Sequence, residues 1–149
     1  LNMDPQNASA PEVKNFLFEG YKKLFADANL EKHNTEKNSF VGAFLATMNK
    51  QSSVANSGIT PETLTMIRTR FILDWSASHA GKFPFRLFDL QKQLIQDGLF
   101  EAYNQWIFGA AQNLATYQTW VNNHPKEYNE LIRFRQNRVF RIPAGQYYH

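Results

Sequence analysis

The chain has 149 residues, is 43% hydrophobic, 19% charged and 15% aromatic, and contains no cysteine. This is the composition of one folded globular domain, and it excludes disulfides, thiolate metal sites and cysteine nucleophiles. The net charge of +3 is small but localised: Arg133, Arg135, Arg138 and Arg141 stand together without an acid, while the remaining 12 basic and 13 acidic residues nearly cancel.

No window approaches about 18 consecutive apolar residues, so no membrane span is expected. The first residues have neither a basic n-region nor an apolar h-region, so no signal peptide is read. Absence of cysteine fits a reducing compartment. A cytoplasmic location is therefore the expectation; because the numbering begins at Leu1, export stays open.

In chain order, residues 1–10 are polar and read as a flexible arm. Ser9 and Glu12 have capping-box spacing, with Pro11 in the first turn. They open a helix over about 11–28 whose apolar stripe is Val13, Phe16, Leu17, Tyr21, Leu24 and Phe25. Glu19 and Lys23 are paired outside, and Gly20 on the buried side would admit a close neighbour. A polar link, Asn29–Lys37, leads to a second helix at about 38–50, striped with Phe40, Val41, Phe44, Leu45 and Met48. Residues 51–59 are rich in Ser, Asn and Gly and read as a flexible loop, without a phosphate-cradling glycine pattern.

Thr60 is the N-cap of a third helix with Pro61 at its first position. Leu64, Ile67, Phe71 and Trp75 mark its inner face, broadened by Ile72, and Gly81 is placed to cap its end beyond His79. In the turn 81–85, Phe83 and Phe85 are positioned to pin the next helix, about 85–97, which stops at Asp97-Gly98.

The stretch 99–121 is the organising element. Leu99, Tyr103, Trp106, Ile107, Ala110, Leu114, Tyr117 and Val121 recur at steps of three and four, the period of a helix face. Unbroken, the helix would span about 35 Å, and Glu101 is its only charge. It either runs through or breaks near Gln112-Asn113, with Asn113 capping a new helix. Trp106-Ile107-Phe108-Gly109 with Tyr117 and Pro125 resembles part of one tetratricopeptide unit. The glycine spacing is one residue short, however, and no second copy lies about 34 residues away, so no family is recognised.

Pro125 opens a last helix, to about 137, that turns Tyr128, Leu131, Ile132 and Phe134 inward. Residues 138–149 lose the helical period and form a basic and aromatic tail packed on the domain. In it, Val139, Phe140 and Ile142 make a short extended segment and Pro143-Ala144-Gly145 a turn. No region alternates as a sheet would. The fold expected is an all-α, single-domain bundle of six or seven helices around the long aromatic-rich helix, with an irregular tail.

Signals for chemistry are sparse. His33, His79, His124 and His149 are scattered and form no close-spaced ligand pair, so no metal site is expected. Asp74 and His79, five apart, would lie about 140° apart around a helix; His79 reads more simply as a partner of the helix C-terminal dipole. Asp89, Asp97 and Glu101 sit where acids serve caps and first turns. No G-x-S-x-G elbow, Walker loop or G-x-G-x-x-G is present, so no cofactor is expected and an enzyme is the third-ranked reading.

Two features remain. Arg133, Arg135, Arg138 and Arg141 interleave with Phe134, Phe140, Tyr147 and Tyr148, a pairing of cations and stacking rings suited to nucleic acid. Against this, cations near a helix C-terminus are ordinary. Apolar residues also exceed one face's needs on the third helix (Met66, Ile67, Phe71, Ile72, Leu73, Trp75) and on the long one (Phe100, Trp106, Ile107, Phe108, Trp120). A surplus face could meet another protein or a second copy of the chain. The leading sequence reading is thus a non-catalytic protein-interaction or assembly module, with Trp120 as a contact. Nucleic-acid binding through Arg133, Arg135, Arg138, Arg141, Tyr147 and Tyr148 is the alternative.

Overall fold

A computed structural model describes residues 1–4, 6–27, 29–33 and 39–148. Pro5, Ala28, residues 34–38, His149 and the side chain of His33 lie outside the described residues, and with them part of the Asn29–Lys37 link. In order, the helices are α1 (Ala10–Ala26), α2 (Phe40–Asn49), α3 (Ser52–Ala55), α4 (Pro61–Ser78), α5 (Arg86–Gln96), α6 (Phe100–Asn104), a π-helical turn (Gln105–Gly109), α7 (Ala110–Gln112), α8 (Leu114–Asn123) and α9 (Pro125–Gln136). The fold is all-helical and forms one compact domain; no strand occurs among the described residues.

The starts of the helices follow local chemistry. The Thr60 side chain accepts from Thr63 N–H while Thr63 Oγ1 accepts from Thr60 N–H, a reciprocal capping box that launches α4 behind Pro61. Ser39 caps α2 by accepting from Gly42 N–H at 3.0 Å. Asn113, in extended backbone at φ −162°, accepts from Thr116 N–H at 2.9 Å and starts α8. The stretch 99–121 therefore breaks at Asn113, the second of the two alternatives. Its centre is also shorter than expected. Residues 102–109 are all buried, whereas α8 contains no buried residue and Leu114 is exposed.

Several expectations need correction. Ser9 precedes α1 but its side chain makes no cap. The buried residues of α1 are Ala10 and Phe18, while Val13, Phe16 and Leu17 are exposed. The covered face is thus rotated from the expected stripe, because Phe16, Leu17 and Phe18 are adjacent and period alone does not say which flank is covered. Gly20 is exposed with open space beside it, so it serves no close approach. Glu19 pairs with Lys22 at 2.9 Å, not with Lys23. The 51–59 loop contains the helical turn α3, and its Gln51 is buried, donating to Asp74 Oδ2 at 3.4 Å. His79 rather than Gly81 ends α4, its N–H reaching Trp75 O at 2.8 Å. In the tail, residues 138–143 are non-helical, and the turn after Pro143 is a 3-10 turn, Ala144–Gln146.

α4 lies between two apolar clusters. One gathers Phe18, Leu64, Leu94, Phe100, Tyr103, Phe108 and Leu131. The other gathers Met48, Ile67, Phe71, Ile72 and Trp75, ringed by Phe40, Phe44, Phe83 and Phe88. Phe85 does pin α5, meeting Phe88 edge-on at 4.8 Å, whereas Phe83 meets Trp75 of α4 at 6.3 Å. The space where the two clusters meet is where the candidate site lies.

Candidate ligand-binding site

Between the clusters is a cavity of about 390 Å³, within the usual range of small-molecule sites, about 300–1,000 Å³. Helix α1 supplies Val13, Leu17 and Tyr21 to its wall, α2 supplies Phe40, Phe44 and Met48, and α4 supplies Arg68 and Phe71. From α5 come Leu87, Phe88 and Gln91; from α6 and the π-helical turn come Tyr103, Ile107 and Phe108. Residues 1–3, Phe85 and the tail residues Phe140 and Ile142 complete it. Wall residues that are also exposed, Met3 at 59%, Leu17 at 42% and Val13 at 39%, mark the mouth between the first residues and α1.

The polar groups in this wall are few. Asn2 Nδ2 donates to Tyr103 Oη at 2.8 Å, tying the first residues to α6. Arg68 is only 6% exposed. Its Nη1 donates to Asn104 Oδ1, and Asn104 is itself held by donating to Phe100 O at 2.7 Å. The guanidinium carbon lies 5.2–5.5 Å from the ring centres of Phe108, Phe100 and Tyr103. These rings and the amide oxygen offset part of the desolvation cost. No anion completes it: among the described residues the ion pair found is Lys22–Glu19. A buried cation without a counter-charge is costly, of the order of several kcal/mol.

Gln91 is 5% exposed, and its side chain hydrogen-bonds to no other described residue. Yet among the described residues Trp75 Nε1 is the one buried side-chain polar atom that is both sealed and unpartnered. The Gln91 amide and the remaining N–H groups of Arg68 are therefore not sealed, and both residues line the cavity. Arg68 is the single charged side chain of the described wall. The site is an apolar hollow with one fixed positive charge and one free amide. Asp74, Asp89 and His79, the acid–base candidates, are absent from it, and no three His, Asp or Glu side chains among the described residues gather to hold a metal ion.

No family model, curated protein or solved structure matches this chain. The function must be argued from the site itself.

The residues singled out in the sequence lie elsewhere. Arg135 is half-buried, its guanidinium 3.5 Å from the Trp106 ring centre, and burial lowers its pKa. Arg138 stacks over Phe134 at 4.1 Å and donates to Gln93 Oε1 at 3.0 Å. Together with Asn2, Met3, Tyr103 and Phe140, these two arginines line a smaller cavity of about 160 Å³. Tyr148 stacks flat on Phe40 at 4.3 Å, and its hydroxyl donates to Pro84 O at 2.7 Å. Trp120 is half-buried and stacks on His124 at 4.4 Å. Arg133, Arg141 and Tyr147 are exposed. The surplus apolar residues Ile67, Phe71, Ile72, Trp75, Phe100, Trp106, Ile107 and Phe108 are core, leaving Met66 and Leu73 exposed on α4.

Sequence reasoning passed over Arg68 and Gln91. Each occupies an apolar stripe: Arg68 falls between Leu64 and Ile72, and Gln91 between Phe88 and Leu94. A polar residue at a core position of a helix was the available signal.

Lys14 of α1 and Arg135 of α9 meet at one ring. The Lys14 Nζ lies 4.2 Å from the centre of the same Trp106 ring that Arg135 covers. Burial, and then repulsion from Arg135, lowers its pKa from 10.5 to about 8. Between those values the unfolded chain holds the Lys14 proton and the folded chain does not, so stability rises with pH across that window. This gain is complete above the unfolded value and is lost as pH falls through the folded one. Urea unfolding at pH 7.5, 9 and 10 should show the rise, with a smaller slope in Lys14→Met; identical slopes would contradict the placement of Lys14.

Proposed function

We propose that this protein is a non-catalytic binding module that takes an apolar small molecule into the cavity between the two clusters. The observation that supports this is the wall itself: a hollow of about 390 Å³ lined by Phe, Leu, Ile and Met, with a few inward polar groups, the general form of a ligand site. A ligand of that size would replace water along aromatic and aliphatic surface, which is favourable by about 25 cal/mol per Å² of apolar area covered. Nothing in the wall supplies a nucleophile with its base or a carboxylate pair, so binding rather than turnover is the reading.

The test is a titration with a neutral solvatochromic dye. The expected result is saturable one-to-one binding that raises the melting temperature as ligand linkage requires. Leu17→Trp, placing an indole in the mouth, should weaken it at least about tenfold while the protein stays folded, the loss of a few buried contacts being sufficient. Non-saturable binding, or binding that ignores Leu17→Trp, would refute the reading.

A further inference from the structure

Resting on that reading of the cavity, we propose that its ligand is an amphipathic monoanion of the fatty-acid class. It carries one carboxylate, held by Arg68 and Gln91, on an unbranched alkyl chain that runs to the mouth at Met3, Val13 and Leu17. The charge count leads to this class. Arg68 is the one charged side chain of the described wall, buried and without a carboxylate partner, so a single negative charge pairs it. A phosphate monoester, carrying nearly two charges at neutral pH, would bring a second charge for which no other side chain of the described wall offers a partner.

Geometry supports the same class. Asn104 takes Nη1 of the guanidinium, which leaves Nε and Nη2, donors in one plane that match the two oxygens of a carboxylate. The Gln91 amide, in the cavity wall and unpartnered among the described residues, supplies a further donor. The rest of the wall offers rings and aliphatic groups, which suit methylenes. Because Arg68 is deep and the exposed apolar residues form the rim, the carboxylate enters first and the methyl end stays near the mouth.

The test is calorimetric titration of the whole chain at neutral pH with decanoate, decanol and decyl phosphate, each below its micellar range. Decanoate should bind at one-to-one stoichiometry and at least about tenfold tighter than the other two, as expected when a charged hydrogen-bonded contact is present in one ligand only. Arg68→Met should weaken decanoate by roughly 10- to 100-fold and leave decanol unchanged; Gln91→Leu should weaken decanoate by less. Decanol or decyl phosphate binding as tightly as decanoate would overturn the proposal, as would a folded Arg68→Met variant that keeps the preference. If Arg68→Met does not fold, the three ligands on the unaltered protein decide. Decanol binding without a carboxylate preference defeats this inference alone, whereas failure of all three ligands and of the neutral dye defeats the cavity reading with it.

Discussion

Replacing Gly109 with alanine is expected to destabilise the protein by about 2 kcal/mol, the usual scale of overpacking. Helix propensity points the other way. Gly109 has ordinary helical angles, φ −59° and ψ −54°, where alanine is better than glycine by up to about 1 kcal/mol. Sterics decide, because a Cβ there would lie 2.5 Å from Tyr117 Cδ2, 3.0 Å from Tyr117 Cγ and 2.9 Å from Gln105 Oε1. Inner ring atoms cannot swing aside as a chain end can, and Tyr117 begins in the turn that Asn113 caps. Gln105 is held too, donating to Glu62 Oε1 at 2.9 Å. The denaturant midpoint of Gly109→Ala should fall, and the fall should shrink when Tyr117→Ala is already present. A midpoint unchanged or raised in the single variant would show that α8 does not press on the π-helical turn.

Phe40→Ala should be the more damaging change, costing about 3 kcal/mol, at the low end for phenylalanine truncation because the ring is only half-buried. Phe40 touches the rings of Trp75, Phe83, Phe85, Phe88 and Tyr148 at centroid distances of 4.3–6.1 Å. It joins the start of α2 to the end of α4, the start of α5 and the tail at once. For a chain of this size, that cost corresponds to a fall in melting temperature of roughly 6–12 °C. The tail should loosen with it, since Tyr148 loses its stacking partner, and trypsin should then cut at Arg141 faster while the rest stays folded. A shift below about 2 °C with unchanged cleavage would contradict the packing described.

What was legible in the sequence was what is local. Thr60-Pro61, Asn113 and Pro125 announce helix starts because caps act within four residues. Asp97-Gly98 announces a stop, and Gly98 does adopt a positive φ of 70°. Faces were less legible where apolar residues stand side by side, as at Phe16-Leu17-Phe18, since only the neighbouring helices select the buried flank. The 99–121 stretch carried the right period on both sides of Asn113, yet its second half is only partly covered, with Tyr117, Trp120 and Val121 half-buried and Leu114 exposed. The cavity was not legible, because residues from α1, α2, α4, α5, α6 and both ends of the chain meet there without any linear spacing to record it. Arg68, in the run Arg68-Thr69-Arg70, reads like a surface charge until its register with Leu64 and Phe71 is followed.

The most direct measurement uses the three methionines as reporters. Met3 stands at the mouth of the cavity, Met48 in its wall, and Met66 on the exposed face of α4 outside it. With methyl-labelled methionine, a decanoate titration followed by NMR should move the Met3 and Met48 signals along one saturable curve and leave Met66 in place. Movement of Met66 with Met48 fixed, or three uniform drifts that never saturate, would contradict a ligand bound between the two clusters.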